Sequence, residues 1–221
     1  MSVFDIQLFI EHLKKGAALA GISLETHQID QMTAHARELM VWNRKTNLTA
    51  ITDPQGVAEK HFIDSIVVNQ FFARENLILD MGTGGGFPAI PLKILNPDIQ
   101  IVMVDSVRKK VNFLNHVVRS LELKGIEAIH GRVEDLANDS MHANEYDAVM
   151  ARGFAGLEKF AGLAIPFLKP GAKLYALKGK LAQEEITPHL KSQFDIIQDY
   201  YQLPFEKSDR YMICMTPKTV Q

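Results

Sequence analysis

The feature that most constrains this chain is the alternation that begins after Arg74. The apolar runs "LILDM", "IQIVMVD", "IEAIHG", "YDAVMA" and "AKLYALKG" are each bounded by turn residues. Between them lie the helical patterns "PAIPLKIL", "RKKVNFLNHVVRSLEL" and "FAGLEKFAGLAIPFL". Strand and helix in repeated alternation argue for a mostly parallel, twisted sheet with helices on both faces, an α/β fold. The end breaks the rhythm: "FDIIQDYYQL" and "RYMICM" read as two strands joined by a polar loop, an antiparallel pair that closes the sheet.

What precedes the alternation is helical. Phe4, Leu8, Phe9 and Leu13 recur at helical spacing, with Gly16 and Gly21 punctuating the end. Ile29, Met32, Ala36, Leu39 and Met40 form a second apolar face that stops near Trp42,. "WNRKTNLTAITDPQG" then reads as a loop, and a third helix is expected from about Val57 to Phe72,. The expected organisation is a helical segment over residues 1–73 packed on an α/β domain over 74–221, together one compact unit.

Composition narrows the class of partner rather than the fold. A formal charge of −2 over 221 residues predicts no general attraction to polyanions, though a local basic surface is compatible with it,. Cys214 is the only cysteine, which excludes an intrachain disulfide and a cysteine-based zinc cluster,. "MSVFDIQLFIEHLKKG" mixes charges among its apolar residues and does not read as a signal peptide, and no stretch reaches the roughly 20 apolar residues that span a bilayer,. The expectation is a cytoplasmic protein that engages no membrane, with a monomer as the favoured state.

The loop after the first strand carries the chemistry. In "LILDMGTGGGFPAIP" the glycines Gly82, Gly84 and Gly86 alternate directly after Asp80. In an open α/β sheet, ligands collect at the carboxyl ends of the strands, and this loop lies there. A dinucleotide fingerprint would need glycine at position 87, which is Phe87; a Walker loop would need a Lys-Ser/Thr pair, and none follows,. An acid does end the next strand: Asp105 in "IVMVDS", suited to accept hydrogen bonds from ribose hydroxyls,. A cofactor with a ribose, a cation and no phosphate fits this pattern, and S-adenosyl-L-methionine meets that description.

Seven segments in order, "WNRKTNLTAI", "EKHFIDSI", "LDMGTGGGFPAIPL", "VDSVRKKVNFL", "GRVEDL", "ARGFAGL" and "LYALKG", make the chain resemble the class I methyltransferases and, within them, the RsmG (GidB) ribosomal RNA methyltransferases. The resemblance covers nearly the whole chain. It implies a Rossmann-like fold, S-adenosyl-L-methionine as cofactor, and methyl transfer to N7 of one guanine in the 530 loop of 16S rRNA, with the small ribosomal subunit as the setting. It also implies cofactor contacts at Asp80, Gly82, Gly84, Phe87, Asp105, Ser106, Val133, Glu134 and Arg152. Arg152 stands at the cofactor–substrate junction, and Lys178 and Arg210 are associated with substrate handling. Arg44, Lys45, Asn47, His61 and Asp64 complete the expected RNA-facing set, with Lys180 as a further rim cation. The chain departs from the family pattern at Gly153, where alanine is expected, and in the extra Gly85.

N7 of guanine carries a lone pair and no proton, so its methylation requires alignment and electrostatics rather than a general base. Arg152 and Lys178 are accordingly expected to position the base or its phosphate. Several residues keep a plainer reading beside the functional one. Asp80 serves equally well as a hydrogen-bonding prop of the loop. His61 and Asp64, three apart on one helical face, read first as a buried pair fixing the N-terminal helices; no third ligand completes a metal site, and no metal is expected. Trp42 reads first as core, and "RKK" at Arg108–Lys110 as solvated surface.

Overall fold

The structure, a computed structural model, describes residues 4–72 and 75–218. The boundary expected at 73/74 lies outside the described residues. Helix α1 (Ile6–Leu19) starts where the Asp5 carboxylate accepts the Gln7 and Leu8 amides, both at 3.0 Å,. Helix α2 (Thr26–Thr46) starts with the Gln28 side chain accepting the Glu25 amide at 2.9 Å. It does not end near Trp42. The polar "NRKT" continues it because Arg44 and Lys45 suit the negative end of the helix dipole and Asn47, at φ 51°, supplies a left-handed cap,.

The third helical stretch changes winding as it goes. It is α-helical at α3 (Pro54–Val57), a π-turn over Ala58–Ile63, α-helical again at α4 (Asp64–Ile66) and 3₁₀ over Val67–Phe72. Such π-turns are rare and concentrate at functional sites; this one carries His61 and runs into Asp64,.

The seven strands are β1 (Leu77–Met81), β2 (Gln100–Asp105), β3 (Ile126–His130), β4 (Tyr146–Arg152), β5 (Leu168–Lys178), β6 (Phe194–Gln202) and β7 (Asp209–Pro217). They form one sheet in the order β3-β2-β1-β4-β5-β7-β6. Strands β1 to β5 pair in parallel and β7 is antiparallel to both β5 and β6. The remaining helices are α5 (Ala89–Leu95), α6 (Arg108–Ser120), α7 (Val133–Leu136), α8 (Leu157–Ala164) and α9 (Pro188–Gln193).

Two cores follow from the pleat, since successive strand residues face opposite sides. Ile78, Ile101, Met103, Ala148, Met150, Tyr175, Leu177 and Met212 pack on one face under α1, α2, α5, α6 and the π-turn. Leu79, Met81, Val102, Val104, Val149, Leu174, Ala176 and Ile213 pack on the other with α8 and α9. The N-terminal helices are therefore part of the cover of the first face.

Their docking is polar as well as apolar. Along α2, Gln28 donates to the Ile94 and Leu95 carbonyls, Gln31 to Leu121, and His35 meets the Gly85 carbonyl at 2.9 Å. Glu38 meets His116 at 2.7 Å. These four positions lie beside the apolar row on consecutive turns, so one helix both seals the core and fixes the loop after β1. No described helix is long and apolar enough to cross a membrane.

Candidate functional site

The glycine loop is held from below by β2. The Gly82 amide donates to the Val104 carbonyl at 2.8 Å, and the Gly84 amide donates to the Asp105 carboxylate at 3.1 Å. The other Asp105 oxygen accepts the Val107 amide at 2.9 Å, while Lys110 stands 3.7 Å from the oxygen that Gly84 meets. Asp105 thus binds two loops together while facing a cavity of about 480 Å³. That cavity is also bordered by Gly82, Ser106, Val133, Glu134, Gly153 and Phe154. Gly82 has φ +71°, and a Cβ there would lie 2.5 Å from the Phe154 ring, so only glycine fits,.

Of the residues expected at the cofactor, Gly82, Asp105, Ser106, Val133 and Glu134 border this cavity together. Gly84 joins them through Asp105. Asp80, Phe87 and Arg152 lie elsewhere. Asp80 is fully buried under the loop, where neither carboxylate oxygen nor the neighbouring Thr83 hydroxyl has a hydrogen-bond partner. Burial pushes its carboxyl up to about 7,.

Phe87 turns toward the N-terminal helices, where His35 and His61 stack on it at 4.8 and 4.7 Å and Phe62 meets it edge-on,. The Arg152 guanidinium lies 5.3 Å from the same ring,. The pleat explains this: Arg152 shares the face of Ala148 and Met150, the face that the N-terminal helices cover.

There Arg152 is enclosed by partners. It donates to the Lys60 carbonyl at 2.9 Å, to Asp64 at 3.3 Å and to His61 Nδ1 at 3.3 Å. The other Asp64 oxygen accepts the Tyr201 hydroxyl at 3.1 Å and lies 3.5 Å from Arg210 Nε. His61 Nε2 is 2.7 Å from the Thr49 hydroxyl, and Thr49 is tied to Asn43 by two further bonds. Burial and the Arg152 charge hold His61 down at about 3, and burial holds His35 at about 4; both rings are neutral,. His61, Asp64, Arg152 and Arg210 form one network.

Lys178 belongs to the opposite sheet face. It donates to the Ala155 carbonyl at 2.7 Å and pairs with Glu185 at 2.8 Å, while Glu185 also accepts the Leu157 amide. The pair pins the loop after β4, whose Gly153, Phe154 and Ala155 wall the cavity. Gly153 sits there at φ +63°, a backbone conformation that alanine would strain,. Gly85 is not loose either: its carbonyl meets His35, and a Cβ would come within 3.1 Å of Leu39. Arg44, Lys45, Asn47 and Lys180 are exposed.

Sequence reasoning passed over His35, Thr49 and Tyr201, and it read Lys110 as solvated surface, whereas Lys110 borders the cavity beside Asp105. His35 had a signal, because it interrupts the apolar row Met32–Ala36–Leu39 with a polar ring. Tyr201 had none, since its partner Asp64 is 137 residues away. Among the described residues no three His, Cys, Asp or Glu side chains come together as a metal site.

An antiparallel strand inserted beside β5, and a cavity at the carboxyl ends of β1, β2 and β4, define the class I methyltransferase fold. A methyltransferase of Aquifex aeolicus described as SAM-dependent superposes with a TM-score of 0.56 at 19% identity, over 76% of this chain and 96% of that one. A putative O-methyltransferase of Klebsiella pneumoniae does so at 0.57 and 12% identity, over 83% and 90%. Likeness at these identities concerns the fold. Family is decided by sequence: the family model described as rRNA small subunit methyltransferase G matches residues 28–210. Proteins named ribosomal RNA small subunit methyltransferase G are 44% identical in Geobacter sp. strain M21, over 82% of each chain, and 38% identical in Bacillus cytotoxicus, over 95% of this chain and 90% of that one. The chain belongs to the ribosomal RNA small subunit methyltransferase G family.

Proposed function

We propose that the protein transfers a methyl group from S-adenosyl-L-methionine to N7 of a guanine in the 530 loop of 16S rRNA, within the small ribosomal subunit, without a general base. The cavity fits the cofactor by its chemistry. Asp105 offers carboxylate oxygens suited to ribose hydroxyls, Ser106 and Glu134 add polar groups, and Gly82 keeps clear the space a side chain would fill,. S-adenosyl-L-methionine, when bound, supplies the electrophilic methyl.

The observation that carries the absence of a base is the occupancy of the protein's own titratable groups beside the loop. His61 is bonded through both ring nitrogens, Asp64 is shared by Arg152, Arg210 and Tyr201, and Asp80 is sealed from any substrate. N7 needs no proton removed, so the commitment of these three groups to partners within the protein or to burial suits it. Arg152 holds a positive charge beside Phe87, and the Lys178–Glu185 pair keeps the Gly153–Ala155 loop in place. Their roles are positioning and electrostatic.

The test uses S-adenosyl-L-methionine labelled in its methyl group and small subunits that lack the modification. Label on N7 of a single 16S guanine is the expected result. Cofactor binding without any transfer to rRNA would sink the substrate assignment and leave the cofactor assignment standing.

A further inference from the structure

A second depression lies outside the site described above. It has a volume of about 460 Å³ and is lined by Val41, Trp42, Lys45, Thr46, Lys109 and Asn112, within the size range of small-ligand pockets, about 300–1,000 Å³. Its floor is the last two turns of α2 and its wall the first turns of α6. Trp42 packs one side on Phe113 and His116 and is only half-buried, and Val41 is 58% exposed.

We infer that this groove receives a single-stranded nucleotide of the substrate RNA, Trp42 meeting its base and Lys45 and Lys109 its phosphates. The inference rests on the RNA methyltransferase reading and deepens it. Charge carries the first part of the argument. No acid lines the groove, and among the described residues Arg44, Lys45, Arg108 and Lys109 make no ion pair, unlike Arg152, Lys178 and Arg210. Of these four exposed cations, Lys45 and Lys109 line the groove with Trp42, in a chain whose formal charge is −2. An uncommitted cationic rim around an exposed aromatic edge is the arrangement that holds single strands, by phosphate attraction and base stacking.

Continuity carries the second part. Val107 and Lys110 border the cofactor cavity, while Lys109 and Asn112 border the groove. The two depressions therefore flank the N-terminal turn of α6 on opposite sides, and Val107, its 42% exposed N-cap, stands between them,.

Trp42 is the only tryptophan, so its fluorescence reports on the groove alone. The wild type and a Lys45→Glu/Lys109→Glu variant are titrated with a single-stranded oligoribonucleotide of mixed sequence. Their methyl transfer to unmodified small subunits is measured in parallel, with S-adenosyl-L-methionine affinity by calorimetry as the check on folding. The expected result is quenching of Trp42 in the wild type, none in the variant, and a KM for subunits raised by about tenfold or more with cofactor affinity unchanged. Unquenched emission together with a wild-type KM in the variant would overturn the inference and leave the methyltransferase reading intact. A raised KM without quenching would assign the groove to a protein of the subunit, which also overturns it. If the wild type transfers no methyl to subunits, the functional reading fails, and quenching alone decides whether the groove takes RNA.

Discussion

The two sides of the glycine loop are built on opposite plans. On the β2 side, backbone amides and one carboxylate, Asp105, border an open cavity. On the N-terminal side, Phe87 is enclosed by two neutral histidines and Arg152, and both side-chain polar atoms of His61 and of Asp64 have partners within the protein. A rigid back and an open front are what a loop needs to meet a ligand without rearranging: the ordering cost is met during folding rather than on binding. Under the proposed function the open side binds the cofactor and the enclosed side positions the loop.

The largest expected effect tests the open side. Gly82→Val puts a branched side chain into the Phe154 ring and the cavity at a backbone angle that valine rarely adopts,. Calorimetry should show S-adenosyl-L-methionine affinity lowered by about a thousandfold, ~4.1 kcal/mol. Affinity within a factor of about three would mean that the loop does not cradle the cofactor.

The enclosed side should register first in stability. Arg152→Ala leaves the buried Asp64 carboxylate short of a partner, and we expect a loss of about 3 kcal/mol in urea unfolding,. Adding Asp64→Asn should restore part of that loss, because the stranded charge is gone. Equal stability of Arg152→Ala and wild type would show the network to be ornamental.

Acid should separate the two sides further. His35 and His61 ionise at about 4 and about 3 when folded against an ordinary 6.5. Below pH 6.5 the unfolded chain takes up protons that the folded one refuses, so stability falls as pH drops toward 4 and then 3. His35→Gln, whose amide can still donate to Gly85, should remove part of this fall. Asp80 works in the other direction. Its carboxyl keeps its proton up to about 7 in the folded state against 3.8 ordinarily, so its contribution is complete below 3.8 and is lost as pH rises toward 7. Asp80→Asn should therefore gain on the wild type between pH 4 and pH 7, read as a rising difference in urea midpoint; a constant difference would count against a protonated Asp80.

The smallest effect sets a scale outside both regions. Gly162 is exposed on α8 with open space at its Cβ, and Gly162→Ala should stabilise by about 0.5–1 kcal/mol without altering cofactor affinity.

The sheet, its closing antiparallel pair and the cavity-side residues were legible because they are local. Period-two runs mark strands, and an acid at the end of one strand beside a glycine loop on the next meets it through the register of a parallel pair, as Asp105 meets Gly84. The end of α2 was misread since its polar residues carry no apolar period, and the capping Asn47 acts through backbone geometry,. Lys178 and Arg152 both close strands of the sheet. Only the pleat and the helices packed on it send them to opposite faces.

The sequence by itself determined the class of fold, the ordered family segments and the acids and glycines of the open cavity, since each is written in neighbouring residues. The tertiary structure decided that α2 would press His35 onto Gly85, that Phe87 would serve the helical side, and that Asp64 would gather Arg152, Arg210 and Tyr201 from three strands. The partners of His35 and Asp64 lie 50 to 146 residues away, and contacts over such separations come from packing two sheet faces at once, which no local pattern encodes.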